Sequence, residues 1–164
     1  MTDNPMVRLA GLSKGFTKGK ETITIFDHLD LVIPRGDFVA MMGPSGSGKT
    51  TLLNLLGGID RADKGEVNIA DSRIDGMSEG QLAHWRAQNI GFIFQFYNLM
   101  PMLSAAQNVE LPLLLTNLRA RDRATRVQTA LSVVNLADRV KHYPREMSGG
   151  QQQRVAIARA IVSD

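Results

Sequence analysis

The octapeptide Gly43-Pro44-Ser45-Gly46-Ser47-Gly48-Lys49-Thr50 restricts what this chain can fold into more than any other stretch. It matches the P-loop pattern, and each fixed position has a physical reason. The glycines let backbone amides close around a polyphosphate, Lys49 reaches the β- and γ-phosphates, and Thr50 offers its hydroxyl to Mg²⁺. The flanks agree with it. Residues Asp37 to Met42 read as a short buried strand, and Thr51 to Leu56 as a helix whose positive N-terminal end faces the phosphates. The competing reading is a glycine-rich turn that binds nothing, which leaves the strand before it and the helix after it unexplained.

At 164 residues the chain has the length of one domain with a real core. A net charge of +3 is small for that size, so charge makes no case for nucleic acid or for a lipid surface, and no nucleic-acid partner is expected. With no cysteine, disulfides and thiolate metal sites are excluded. The first residues show no basic stretch leading into an apolar run, and no apolar stretch approaches the roughly 18 residues that span a bilayer. Any membrane role is therefore expected to come through a partner.

Upstream of the P-loop, residues Val7 to Phe16 and Thr22 to Ile33 read as two strands joined by the polar turn Thr17-Lys18-Gly19-Lys20-Glu21. Ile23, Ile25, Leu29, Leu31 and Ile33 alternate on either side of Asp27-His28, which predicts a half-buried, antiparallel element with a bend. Phe16 has two readings: an ordinary core aromatic, the commoner case, or a flat face for a nucleotide base. Downstream, Glu66 to Ile69 reads as a strand, and Ser78 and Gln81 have capping-box spacing for a helix from Glu79 to about Ala87. His84 and Trp85 on that helix read as surface or packing residues. Ile90 to Phe94 is a second candidate for a buried parallel strand.

Gln95 closes that strand. It is either a capped strand end or a polar contact to the metal or to an attacking water. The segment Phe96 to Leu103 is unusually apolar for a loop and either folds inward or presents an adaptable patch to a partner. Beyond it the pattern is helical. Ser104 and Gln107 form another capping box, Pro112 is expected to kink the helix that opens there, and Ala124, Val127, Leu131 and Val134 give the next helix an apolar face. Arg119, Arg121, Arg123 and Arg126 read as a solvated basic face. The last helix opens at Ser148-Gly149-Gly150-Gln151, with Val155, Ala158 and Val162 on one side. Ser148 and Gln151 make a capping box, but two first-turn glycines cost about 1 kcal/mol each relative to alanine. They make sense where the backbone must come close to an anion.

A P-loop and a second anion-binding helix start, about 100 residues apart with a helical insertion between them, are where the sequence resembles the ATP-binding-cassette (ABC) ATPases. Gly43 to Thr50 matches the Walker A motif, Gln95 the Q-loop, and Met147-Ser148-Gly149-Gly150-Gln151-Gln152-Gln153-Arg154 the family signature. The wording of Gly91 to Gln95 and of Asn108 to Leu113 is most similar to the branch serving lipoprotein release, macrolide export and related complexes. Met147 stands where leucine is usual, and Phe16 where the adenine-stacking aromatic is commonly tyrosine.

The resemblance implies an α/β fold, an incomplete RecA-like P-loop NTPase core with an N-terminal antiparallel β subdomain and an inserted α-helical subdomain. It divides residues 1–164 into a β subdomain and P-loop core over about 1–94 and a Q-loop, helical subdomain and signature helix over about 95–164. It implies ATP and Mg²⁺ as ligands. Phe16, Gly43, Pro44, Ser45, Gly46, Ser47, Gly48, Lys49, Thr50 and Thr51 would hold nucleotide. Thr50 and Gln95 would face the metal. Ser148 and Gly150 would contact the γ-phosphate held by a second copy in a head-to-tail dimer, with Gly149 and Gln151 completing that nucleotide-binding motif. Phe96 to Leu103 would help to seat an integral membrane subunit, placing the chain on the cytoplasmic face of the inner membrane.

The sequence runs to Asp164, where the family's Walker B strand is due, and no Asp, Glu or His stands in for the family's Mg²⁺-binding aspartate, catalytic glutamate or switch histidine. The expectation is weak nucleotide binding without turnover by these 164 residues, and a P-loop strand left with exposed edges. Two other readings remain: a soluble switch of the same ATPase type acting on DNA or ribosomes, and a catalytically silent binding fragment. A P-loop kinase would leave Ser148 to Gln151 unexplained.

Overall fold

A computed structural model describes residues 4–19 and 21–163. The chain divides into two compact units, Met1–Arg86 and Ala87–Asp164.

The first unit is built on a four-stranded antiparallel sheet of order β2-β1-β3-β4, with β1 Val7–Lys18, β2 Glu21–Ile33, β3 Lys64–Ile69 and β4 Ser72–Arg73. The expected hairpin and antiparallel pairing are present, and His28, at φ 52°, marks the bend inside β2. Val7, Leu9 and Leu12 of β1 are buried, as are Val67 and Ile69 of β3 and Ile74 beyond β4. Helix α1, Lys49–Leu56, buries Leu52 and Leu55. Helix α2, Glu79–Asn89, starts at the predicted capping box: the Ser78 amide donates to Gln81 Oε1 (2.9 Å) and the Gln81 amide to Ser78 Oγ (3.4 Å). Trp85 is buried and His84 exposed on it.

Two sequence expectations fail in the same way. Residues 37–42 and 90–94 carry no strand pairing, and much of their apolar surface is open, with Phe38 at 98% and Met42 and Ile93 also exposed, while Ile90 and Phe92 are half-buried. Their composition suits a strand buried on both faces, but such a strand exists only with neighbours on both edges. None of the described strands pairs with either run.

The second unit is helical: α3 Ala105–Glu110, a 3₁₀ turn at Leu111–Leu115 that accommodates Pro112, α4 Ala120–Val133, a short 3₁₀ piece at Pro144–Glu146, and α5 Gly149–Ile161. The core joins Val109, Leu113, Val127, Leu131, Val134, Leu136, Val155, Ala158 and Val162. Ala124 lies outside it, exposed, and Ala130 takes the buried place on α4. The arginine cluster is only partly the solvated face expected. Arg123 pairs with Glu110 (2.8 Å) and donates to the Leu118 carbonyl, and Arg126 donates to the Ser163 carbonyl, so both fasten α4 to its surroundings.

At the sheet edge, Asp75 Oδ1 accepts from the Val67 amide (2.9 Å) and its carboxylate pairs with Arg73 (3.0 Å). Burial works to raise its pKa, but the Val67 amide and the Arg73 guanidinium outweigh that and hold it below the usual carboxylate value. A depressed folded-state pKa gives stability that is present above the unfolded value near 4 and is lost as pH falls through the folded one. Urea melts from pH 6 downward should show that acid loss in the parent, and a shallower loss in Asp75→Asn.

Candidate functional site

The glycine-rich loop takes its shape from residues that only glycine tolerates. Gly43, Gly46 and Gly48 have φ of 154°, 82° and 85°. A Cβ at Gly48 would lie 2.8 Å from Ile25 Cγ2 and 3.0 Å from Phe26 Cζ, so this glycine lets the loop close down on β2. Gly48 is the N-cap of α1 and offers no side chain to its first turn. The first α1 hydrogen bond runs from the Leu52 amide to the Gly48 carbonyl (2.9 Å), which leaves the amides of Gly48, Lys49 and Thr50 with no partner among the described residues. The Lys49 ammonium bends back over the loop, donating to the carbonyls of Gly43 (2.8 Å) and Pro44 (2.6 Å) and to Ser47 Oγ (3.2 Å). The Thr50 side chain is exposed at the helix start, and Thr51 is half-buried beside it. A cation and a set of uncapped amides at one helix N-terminus form an anion cradle of the kind a polyphosphate fills.

Phe16, read from sequence as most often a core aromatic, is instead 45% exposed near the end of β1. The strand that carries it has an irregular register between Leu9 and Gly15, just ahead of Phe16. The Lys14 ammonium lies 4.9 Å from its ring centroid.

In the second unit, Gln95 occupies an exposed turn. The residues just beyond, Tyr97 and Asn98, both have left-handed backbones, φ 59° and 46°. This unfavourable pair is held by Arg159 of α5, whose guanidinium donates to the Tyr97 and Asn98 carbonyls, both at 2.7 Å. The loop after it is fixed by Asn108, fully buried on α3. Its Oδ1 accepts from the Met100 amide (2.7 Å), and its Nδ2 donates to the carbonyls of Met100, Leu103 and Ser104 (3.0–3.1 Å). The loop is thus rigid in backbone yet open in side chains, with Phe96 and Met102 over 80% exposed, while Leu99 packs on the helical core. Sequence reading missed Asn108 and Arg159. An asparagine four residues after a capping serine is the only local hint, because there it reaches back over the helix start.

Helix α5 starts as predicted. The Gln151 amide donates to Ser148 Oγ (3.3 Å), and the Ser148 amide to Gln151 Oε1 (2.9 Å). Gly149 and Gly150 keep amides with no partner among the described residues. Nothing in the fold requires them to be glycine: an added Cβ would meet only Tyr97 Oη at 3.6 Å at Gly149, and nothing within 4 Å at Gly150. The space above this helix start is open.

The sequence model of the ABC transporter family matches residues 26–164. This chain belongs to that family. It is 44% identical over 159 residues to the uncharacterized ABC transporter ATP-binding protein YknY of Bacillus subtilis, covering 97% of this chain and 69% of that protein. It is equally identical, 44%, to the lipoprotein-releasing system ATP-binding protein LolD of Chromohalobacter salexigens, over 97% of this chain and 67% of LolD. Its fold is that of the ATP-binding cassette MJ0796, solved as a dimer in a post-hydrolysis state with ADP and Pi. The TM-score is 0.88 at 41% identity, covering 96% of this chain and 70% of that one. The family places it among ABC-type ATPases and makes it an ATP-binding subunit of a transporter.

Because glycine costs about 1 kcal/mol against alanine in a helix and Gly150 has free space around it, Gly150→Ala should raise stability by up to about that amount in a denaturant melt. Arg159→Met should speed amide exchange at residues 97–100, leaving the α4 amides as protected as before.

Proposed function

We propose that this chain binds ATP with Mg²⁺ on its glycine-rich loop and, as a head-to-tail pair, drives a membrane subunit that carries out lipoprotein release or export. The observation that carries the reading is the α1 start, where uncapped amides of Gly48, Lys49 and Thr50 converge with the Lys49 ammonium. There Gly43, Pro44, Ser45, Gly46, Ser47 and Gly48 wrap the phosphates, and Lys49 exchanges its carbonyl contacts for phosphate oxygens. Thr50, with Thr51 beside it, would supply an oxygen to the metal, whose charge would offset that of the phosphates, and Gln95 would take the role of the family's Q-loop glutamine. Phe16 stacks the base. Ser148, Gly149, Gly150 and Gln151 present the second helix start to the nucleotide of a partner copy, which accounts for glycines that the fold itself does not need.

The exposed loop around Phe96 and Met102 is proposed to seat the membrane subunit. No helix among the described residues is long and apolar enough to cross a membrane, and we place the chain on the cytoplasmic face of the inner membrane, held there by that partner. LolD is named for a lipoprotein-releasing system, and that is the transport class we propose here. Residues 1–164 by themselves are proposed to bind ATP without turning it over.

Calorimetric titration of residues 1–164 with Mg-ATP should show binding, lost by about 100-fold or more in Lys49→Ala. Absence of binding in the parent would sink the reading. Steady-state phosphate release that Lys49→Ala abolishes would instead sink the claim of silence.

A further inference from the structure

Lys14 is a buried lysine on a short leash. The residue is 8% exposed, and its ammonium donates to Asp60 Oδ1 (2.8 Å) and to the Arg61 carbonyl (2.7 Å), with Asp63 Oδ1 at 3.9 Å. A buried ammonium is costly unless its donors are met, and these two bonds account for most of that need. Its remaining neighbour is the Phe16 ring, 4.9 Å from the nitrogen to the centroid, well within the range of cation–π attraction. The segment that anchors it, Asp60 to Asp63, comes shortly after α1 and is itself tied to β1. The Asp63 amide donates to the Ser13 carbonyl (2.9 Å), and the Gly15 amide to Asp63 Oδ2 (2.7 Å).

From this arrangement we propose that Lys14 is a positioning residue for base recognition: it holds the Phe16 ring from behind and ties it to the segment leaving α1, so that one free aromatic face stands at a fixed distance from the phosphate cradle. The proposal rests on the reading of Phe16 as the base platform. It adds two physical consequences. A cation on one side draws π-electron density toward itself, leaving the opposite face a better partner for an electron-rich purine. And since the cation is anchored on the segment that follows the helix whose start holds the phosphates, base site and phosphate site are linked through α1. Ligands with both a neutral purine and a polyphosphate gain from Lys14, whereas a bare polyphosphate does not.

The test compares ATP with inorganic tripolyphosphate, both with Mg²⁺, by calorimetry on the parent, Phe16→Ala, Lys14→Gln and Lys14→Arg. Lys14→Gln removes the charge and keeps an amide donor on a side chain one bond shorter. Lys14→Arg keeps a cation able to lie over the ring. Phe16→Ala should weaken ATP by about tenfold, the worth of one base–aromatic stack, and leave tripolyphosphate unchanged. Lys14→Gln should weaken ATP by roughly two- to fivefold, again without touching tripolyphosphate, and Lys14→Arg should restore most of that loss. If Phe16→Ala weakens ATP and Lys14→Gln does not, the role of Lys14 is refuted while base stacking stands. Equal losses of both ligands in Lys14→Gln would reduce Lys14 to a support of the fold. An unaltered ATP affinity in Phe16→Ala would remove the platform itself, and the proposal with it.

Discussion

The contact of Gly48 with Ile25 and Phe26 decides where everything in the first unit begins. With no side chain of its own, Gly48 lets the loop lie directly on β2, and at φ 85° it reverses the chain into α1. Any larger residue would press on Ile25 and Phe26 and move the uncapped amides at the start of α1. The same glycine leaves α1 without a capping side chain, so shape and unmet hydrogen-bonding capacity have one cause. Lys49 then covers the carbonyl side of the loop, so that acceptors are satisfied and donors are left open.

Helix α5 solves a related problem differently. Its start is properly capped by Ser148 and Gln151, which secures the helix in the folded unit, and the open space above it comes from small size alone at Gly149 and Gly150. One helix start is shaped by its contact with the sheet, the other by the absence of any contact. Arg159, further along α5, holds the strained carbonyls of Tyr97 and Asn98, so the segment after Gln95 is fastened to the helix that carries the signature.

What can be read from the sequence is what local spacing determines. The loop, the hairpin, the three serine-led capping boxes and the apolar faces of α4 and α5 depend on residues a few positions apart, and all are present except that Ala130 takes the place expected of Ala124 on α4. Residues 37–42 and 90–94 show the limit: their apolar runs are strand-like, but a ladder is a relation between distant segments, and composition does not supply the partner. Phe16 is ambiguous in sequence because an aromatic at a strand end looks the same whether it faces core or solvent, and only the folded chain shows it exposed. Asn108 is hidden for the opposite reason. A polar residue early in a helix reads as solvent-facing, and its four backbone contacts become visible only when the loop folds back over it.

The bare start of α1 has a thermodynamic consequence. Amides that the chain does not cap are met by solvent or by whatever anion is at hand, and an anion that binds only the folded form adds stability in proportion to the logarithm of its concentration. The melting temperature of the first unit is therefore not a property of the polypeptide alone. It varies with the anion, and because sulfate and phosphate also stabilise folded proteins generally by exclusion from their surface, the loop's own share is the part of their gain over chloride that Lys49→Ala removes.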